Sequence, residues 1–495
     1  MNPIKRFPGR ATASILAATS AIALLAGTQA VQAAGFYIKE QSVTGLGRAF
    51  AGESAISEDA STIFFNPAGM TRLEGPEATA GVHLLIPRAD LENRGSTATV
   101  QTPAGALTRP IVGNDGGNPY DPTPVPNAYF AYPLMDRDLW VGLGVSAPFG
   151  LANKYDANWF GRYDSIETDL LTLNIAPSVA YRVNDWISIG GGIDIQYADA
   201  KLTNAVFTGT GPDIISKVEG DDWTFGYNVG VLFEPIPTTR IGIHYRSQIE
   251  HTLDGDVQLS RAGTTFNTSS GTADLNLPDI IAVGVVHELT PKLTLMAEYN
   301  WYGWSNFEEI RVKRPGLPDQ VVGQNYEDTF SLAVGAQYEI NDAWTVRGGF
   351  QYDETPTVDN FRSTRTPDAD RYWLSAGASY ALSESFVVDV AYTHIIIDDA
   401  DINTTQPGAV AAQGHEHGAE ELVRDLVAVV QRVEVVAHVH FGPPVRDHLD
   451  VQDGVAGAGF GGRCAGPFGL DAEDAVLQPL AVRVVDQRDL RLRVL

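Results

Sequence analysis

The chain of 495 residues carries a formal charge of −27, is 44% hydrophobic and 19% charged, and has a single Cys. Past the N-terminus no apolar run approaches the roughly 18–20 residues that a spanning helix needs, so a helical membrane protein is excluded. The acidic excess argues against nucleic-acid binding, and one Cys cannot staple a fold.

Lys5, Arg6 and Arg10 precede a short apolar run, Ile15 to Gly27, and Val31-Gln32-Ala33 places small residues before Ala34. This order predicts a secretory signal peptide over 1–33, cleaved at Ala33/Ala34. The alternative, a single anchoring helix, has too short an apolar core to span comfortably.

From Glu77 the rhythm changes to period two. Trp223, Phe225, Tyr227, Val229, Val231 and Phe233 share one face, and Thr224, Gly226, Asn228, Gly230 and Glu234 the other, with Leu232 the exception. Ile187, Ile189, Ile193, Ile195 and Tyr197 oppose Ser188, Gly190, Gly192, Asp194 and Gln196. Such alternation predicts strands with two different environments. Thirteen strands are recognised, at 77–91, 125–134, 139–147, 165–183, 186–205, 221–234, 239–257, 273–288, 292–310, 326–340, 343–353, 371–381 and 385–397. Their connections alternate between tight turns (for example Asn184-Asp185 and Asn341-Asp342) and long Gly-, Pro- and Asp-rich loops at 92–124, 148–164, 206–220, 258–272, 311–325 and 354–370. Short turns at one end and long loops at the other distinguish a transmembrane barrel from a soluble sandwich. Trp140, Trp186, Trp223, Trp301, Trp344 and Trp373 near strand ends suit interfacial girdles, or a sandwich core. The expected fold is an all-β transmembrane antiparallel β-barrel over 77–405. A single-chain barrel needs an even number of strands, so one more is expected.

Pro407 to Leu495 contains no Ser, Thr, Lys, Asn, Ile, Tyr, Trp or Met. We read 406–495 as an atypical tail, from a shifted reading frame near 405–412 or as a low-complexity extension. Within it Val433, Val435, Ala437, Val439 and Phe441 alternate with Glu434, Val436, His438 and His440, a candidate fourteenth strand.

The run Ala34-Gly35-Phe36-Tyr37, then Ser42 to Gly52, Ala55 to Ala60 and Asn66-Pro67-Ala68-Gly69-Met70, closely resembles the N-terminal hatch of the FadL family of outer-membrane transporters. Further matches are Pro148-Phe149-Gly150-Leu151-Ala152, Trp159-Phe160-Gly161-Arg162-Tyr163, Ala180 to Trp186, Tyr245-Arg246-Ser247, Gly303-Trp304-Ser305 and Pro367 to Gly377. The resemblance covers about 34–405. It implies fourteen strands around a small N-terminal hatch at 34–76, moving long-chain fatty acids or other hydrophobic compounds, aromatic hydrocarbons included, inward across the Gram-negative outer membrane.

Site candidates follow. In the hatch, Asn66-Pro67-Ala68 supplies a rigid turn whose amide bonds backbone groups; the resemblance makes it part of the plug's hold on the barrel. Phe36 is expected to fill the ligand pocket when empty; the plainer roles are a structural turn and a core aromatic. Gly142, Gly144 and Pro148 weaken the third strand, which in the family kinks inward to open a lateral gap, or they allow close packing on the hatch. Phe149, Leu151, Trp159 and Phe160 are candidates for an outer capture groove, or pack the loops. Arg182, Arg347 and Arg371 are candidates for the carboxylate, since guanidinium bonds it in bidentate fashion, or are ordinary paired interior cations.

No cofactor or metal is expected. His415-Glu416-His417 and His438/His440 lack further ligand spacing, and no His sits in a nucleophile motif, so an enzyme is disfavoured. A general porin-like barrel is the other competitor, and a hatch argues against an open pore. Expected partners are a hydrophobic small molecule, outer-membrane lipid and lipopolysaccharide, and the barrel assembly machinery, with the chain a monomer.

Overall fold

The structure is a computed structural model describing residues 35–103, 105–209, 211–383, 385–406, 410–417 and 434–440, with 405–406 and the last two spans described by backbone alone. The signal peptide expected over 1–33 lies outside these residues, as does most of the tail.

Among the described residues fourteen strands form the wall: β1 Glu77–Leu85, β2 Thr123–Leu134, β3 Leu139–Ser146, β4 Glu167–Asn184, β5 Ile187–Val206, β6 Ile214–Ile236, β7 Thr239–Arg246, β8 Ile280–Thr290, β9 Leu293–Tyr302, β10 Thr329–Asn341, β11 Trp344–Asp353, β12 Arg371–Ser383, β13 Phe386–Ile397 and β14 Glu434–His440. Each pairs antiparallel with the next. The ladder returns to its start because β14 also pairs with β1, from Glu77↔His440 to Ala80↔Ala437. Closure matters because lipid offers no hydrogen bonds to an open sheet edge.

The period-two pattern sorts side chains as expected. Phe225 is 70% exposed on the outer face, whereas Asn228 and Asp194 are buried inside. Leu232, the exception in the alternation, points inward and packs with Ala55, Ile56 and Ala68 of the hatch. Trp186 and Trp344 are exposed at strand ends as a girdle requires, and Trp223 is exposed within β6, but Trp140 and Trp373 are fully buried in the interior core with hatch residues.

Several predicted boundaries are corrected. The expected strand at 239–257 divides into β7 and Ile249–Arg261. The expected loop at 258–272 instead lies largely within the hairpin Ile249–Arg261/Thr264–Leu277, which pairs with the start of β6. The 92–124 loop likewise holds the hairpin Thr97–Thr102/Gly105–Pro110. Polar, Thr-rich strands rising above the lipid lose the apolar alternation by which buried strands are recognised.

Residues 35–73 fill the lumen with three one-turn helices, α1 Val43–Leu46, α2 Glu53–Ile56 and α3 Thr62–Phe65, and a 3-10 turn Pro67–Arg72. Helices this short are not stable alone; contacts with the wall hold them. The wall makes room by presenting glycine. A Cβ on Gly242 would stand 1.8 Å from the Ser54 carbonyl oxygen, and one on Gly349 would stand 2.1 Å from that of Arg48.

Candidate functional site

The hatch enters the lumen at Gly35, whose N–H donates to the buried Asp368 carboxylate at 2.8 Å. Phe36 then sits in an aromatic cage, its ring centroid 4.8 Å from Trp304, 5.3 Å from Phe307 and 6.2 Å from Phe149. Edge-to-face packing of this kind adds about 0.5–1.5 kcal/mol per pair beyond area burial. Beside it lies a cavity lined by Phe36, Leu151, Leu170, Leu253, Leu275 and Phe307, with Thr168, Asp169, Asp274, Gln324, Arg365 and Thr366 as polar members.

Arg365 is 8% exposed. Its guanidinium donates to the Thr168 hydroxyl at 3.2 Å, and among the described residues no carboxylate lies within ion-pair distance. Burial pulls its pKa down, opposed by the charge of Asp164. A buried cation without an anion is costly, so this position favours an incoming carboxylate.

The wall breaks next to this cavity. The β2–β3 ladder ends at Ala128↔Val145. Beyond it Thr123–Asn127 continues to pair with β1, while the chain after β3 turns away and resumes as Gly150–Lys154 against β4. Among the described residues the turn is bonded by the hatch in place of β2: Ile38 N–H donates to Pro148 O at 2.7 Å, Gly150 N–H to Phe36 O at 2.9 Å, and Gln41 Nε2 to Ala147 O at 2.9 Å. Proline at 148 has no N–H to leave unpaired there. Gly142 has a different setting: a Cβ on it would come within 2.7 Å of Met70 Sδ and Ile63 Cδ1. Gly144 also faces Ile63. Both glycines therefore admit the hatch.

Asn66 ties hatch to wall. Its Nδ2 donates to Ser54 O at 2.7 Å and to Val231 O of β6 at 3.1 Å, and its Oδ1 accepts from Ala68 N at 3.1 Å, capping the turn that Pro67 begins. The three expected carboxylate-binding arginines are elsewhere committed. Arg182 donates to Thr71 O. Arg347 binds Glu58, 3.0 Å away, which also holds Arg48 at 3.0 Å. Arg371 pairs with Asp368. All three brace the hatch or its approach loop, and the cavity takes its cation from Arg365. Nothing in sequence singled out Arg365; only the neighbouring Pro367–Gly377 match marked the segment.

Leu151 lines the cavity and Phe149 packs on Phe36 beside it, whereas Trp159 and Phe160 do neither. Trp159 stacks on Tyr155 at 3.8 Å, donates from Nε1 to Ser165 O at 2.7 Å, and belongs with Phe160 to a separate core of the outer loops.

Comparison with known proteins bears on the family and the fold. The profile of the family described as "Outer membrane protein transport protein (OMPP1/FadL/TodX)" matches residues 24–429. The chain belongs to this family. It is 32% identical over 417 residues to a long-chain fatty acid transport protein of Escherichia coli O6:H1, covering 76% of this chain and 89% of the relative. Among solved structures it is similar to a FadL homologue of Pseudomonas aeruginosa (TM-score 0.73, 24% identity, 82% of this chain and 100% of that one) and to the toluene transporter TbuX of Ralstonia pickettii (TM-score 0.58, 20% identity, 81% and 98%). This FadL-family member is an outer-membrane transport protein for hydrophobic compounds in Gram-negative bacteria, and not an enzyme.

Proposed function

We propose that the chain imports long-chain fatty acids, holding the alkyl chain in the cavity beside Phe36 and the carboxylate on Arg365. The carrying observation is that buried guanidinium, without an ion-pair partner among the described residues, beside the apolar surface of Phe36, Leu151, Leu170, Leu253, Leu275 and Phe307. Phe36 occupies the cage until ligand displaces it, and the segment 36–38 then shifts away from Pro148–Gly150, opening the break toward the membrane. Two features support a sideways exit. The short-turn end of the lumen is bolted by Asn66 to Val231 and by Arg72 to Glu234. The chamber between hatch and wall sets Lys39, Glu53, His244, Arg246, Glu298 and Asn300 beside Tyr37, Phe50, Phe64 and Phe65, so an alkyl chain entering it would meet buried polar and charged groups on half of its lining. In this reading 1–33 directs secretion, 34–76 is the hatch, and the monomer lies in lipid beneath lipopolysaccharide after insertion by the assembly machinery.

A second reading has its own observation. The Phe36 ring is itself a benzene-sized guest among Trp304, Phe307 and Phe149, so its departure leaves a cage suited to an aromatic hydrocarbon. Substitution of Arg365 separates the two. Arg365→Gln is expected to weaken oleate binding to isolated outer membranes about tenfold or more while leaving methyl oleate and toluene unchanged. Equal oleate affinity in wild type and variant rules out Arg365 as the anchor.

A further inference from the structure

Among the described residues, two buried polar atoms beside the break in the wall have no hydrogen-bond partner: Oε1 of Gln41 on the hatch and Nδ2 of Asn127 on β2. Their residues are 0% and 3% exposed. Asn127 ends the stretch Thr123–Asn127, which is paired through Gly81↔Asn127 to β1 and has no strand from the β3 side. The neighbouring inward residues place it. Val125 packs with Ile38 and Ala147, and the Tyr129 hydroxyl donates to the Gln41 carbonyl at 3.0 Å. Gln41 Nε2 is committed to Ala147 O at 2.9 Å and Ile38 O at 3.3 Å, which leaves Oε1 as its open acceptor. An unmet donor and an unmet acceptor thus flank one opening, one on the wall and one on the hatch. Native interiors carry few such groups, and each calls for an explanation.

We propose that Asn127 and Gln41 form a polar threshold that hydrogen-bonds the head of a long-chain carboxylic acid as it leaves sideways through the break. A neutral carboxyl group has one O–H donor and one C=O acceptor. The O–H donates to Gln41 Oε1, and the C=O accepts from Asn127 Nδ2. A carboxylate only accepts, so it leaves Gln41 unmet and carries full charge toward lipid. A hydrocarbon meets neither atom. The threshold therefore selects the neutral acid, formed when the carboxylate released from Arg365 takes a proton from hydronium in the surrounding water before entering the break, and it makes Asn127 a specificity residue distinct from the cavity anchor. This inference rests on the reading of the chain as an importer of long-chain acids with a lateral exit.

The test is uptake by whole cells of a host without its own long-chain importer, using the full chain and radiolabelled oleate or toluene, with heat-modifiability confirming assembly. Asn127→Leu is expected to lower oleate uptake about tenfold, with toluene uptake and oleate binding to isolated membranes unchanged. Asn127→Ser, which keeps a donor, is expected to recover most of the loss. Unchanged oleate uptake overturns the proposal, and so does an equal fall for oleate and toluene. If Asn127→Leu does not assemble, Asn127→Ala carries the same expectations; failure of both to assemble assigns Asn127 a structural task and overturns the proposal. Wild type that neither binds nor takes up oleate refutes the functional reading itself, separately from the threshold.

Discussion

Gly35 and Asp368 stand 333 positions apart in the chain and meet at 2.8 Å, the backbone N–H of one donating to the carboxylate of the other. Asp368 is 1% exposed, paired with Arg371, and also accepts from the Thr355 hydroxyl at 2.7 Å. It lies three residues beyond Arg365, so a single loop contributes to the cavity and anchors the segment that plugs it.

This relationship gives a signed prediction. Asp368→Asn removes the charge from the clamp, lowering the cost of displacing Phe36 by about 1–2 kcal/mol. Oleate binding is expected to tighten several-fold, whereas general damage to the site weakens it. Titration of a fluorescent fatty acid into purified protein measures the direction. Weaker binding means that Asp368 supports the cavity and does not restrain the plug.

Trp159 separates capture at the outer loops from binding inside. Its stack on Tyr155 and its bond to Ser165 hold the loop core, and it takes no part in the cavity. Truncation of a buried Trp costs about 3–5 kcal/mol. Trp159→Ala is expected to expose the 148–166 loop to surface protease while the oleate dissociation constant stays within about twofold. Phe149→Ala, in the aromatic cage, is expected to do the reverse. Limited proteolysis and ligand titration on the same two variants check both.

The tail gives the third prediction. β14 pairs with β1 at four positions and with β13 from Phe386↔Val439 to Ala391↔Glu434. A chain ending after Phe441 is expected to keep the fast-running unboiled band of a closed barrel. One ending after Gln406 is expected to lose it, because β1 and β13 would then face lipid with unpaired backbone groups, each costing several kcal/mol. If both chains run alike, 434–440 is not the closing strand.

How much of this was legible in advance depended on the range of the interaction. Period-two alternation is local, so Phe225 outside and Asn228 inside could be assigned from neighbours alone. The alternation in 433–441 likewise marked the strand that meets β1. The hairpin Ile249–Arg261/Thr264–Leu277 was missed because above the lipid both faces are polar and the signal vanishes. Trp140 and Trp373 were misplaced because a Trp near a strand end fits a girdle or a plugged lumen equally well, and only the presence of the hatch distinguishes them.

The sequence by itself determined the class of protein. Strands long enough to cross a membrane, turns short at one end and long at the other, and a recognisable hatch run are all properties of contiguous residues. Tertiary structure alone decided the site. Phe36, Leu151, Leu253, Phe307 and Arg365 come from five separate parts of the chain and line one cavity. In sequence Arg182, Arg347, Arg371 and Arg365 look alike; the fold gives Arg347 and Arg371 a carboxylate, Arg182 a backbone carbonyl and Arg365 a hydroxyl. Whether a buried cation is satisfied is a fact about what folds against it, and residues hundreds of positions away set that.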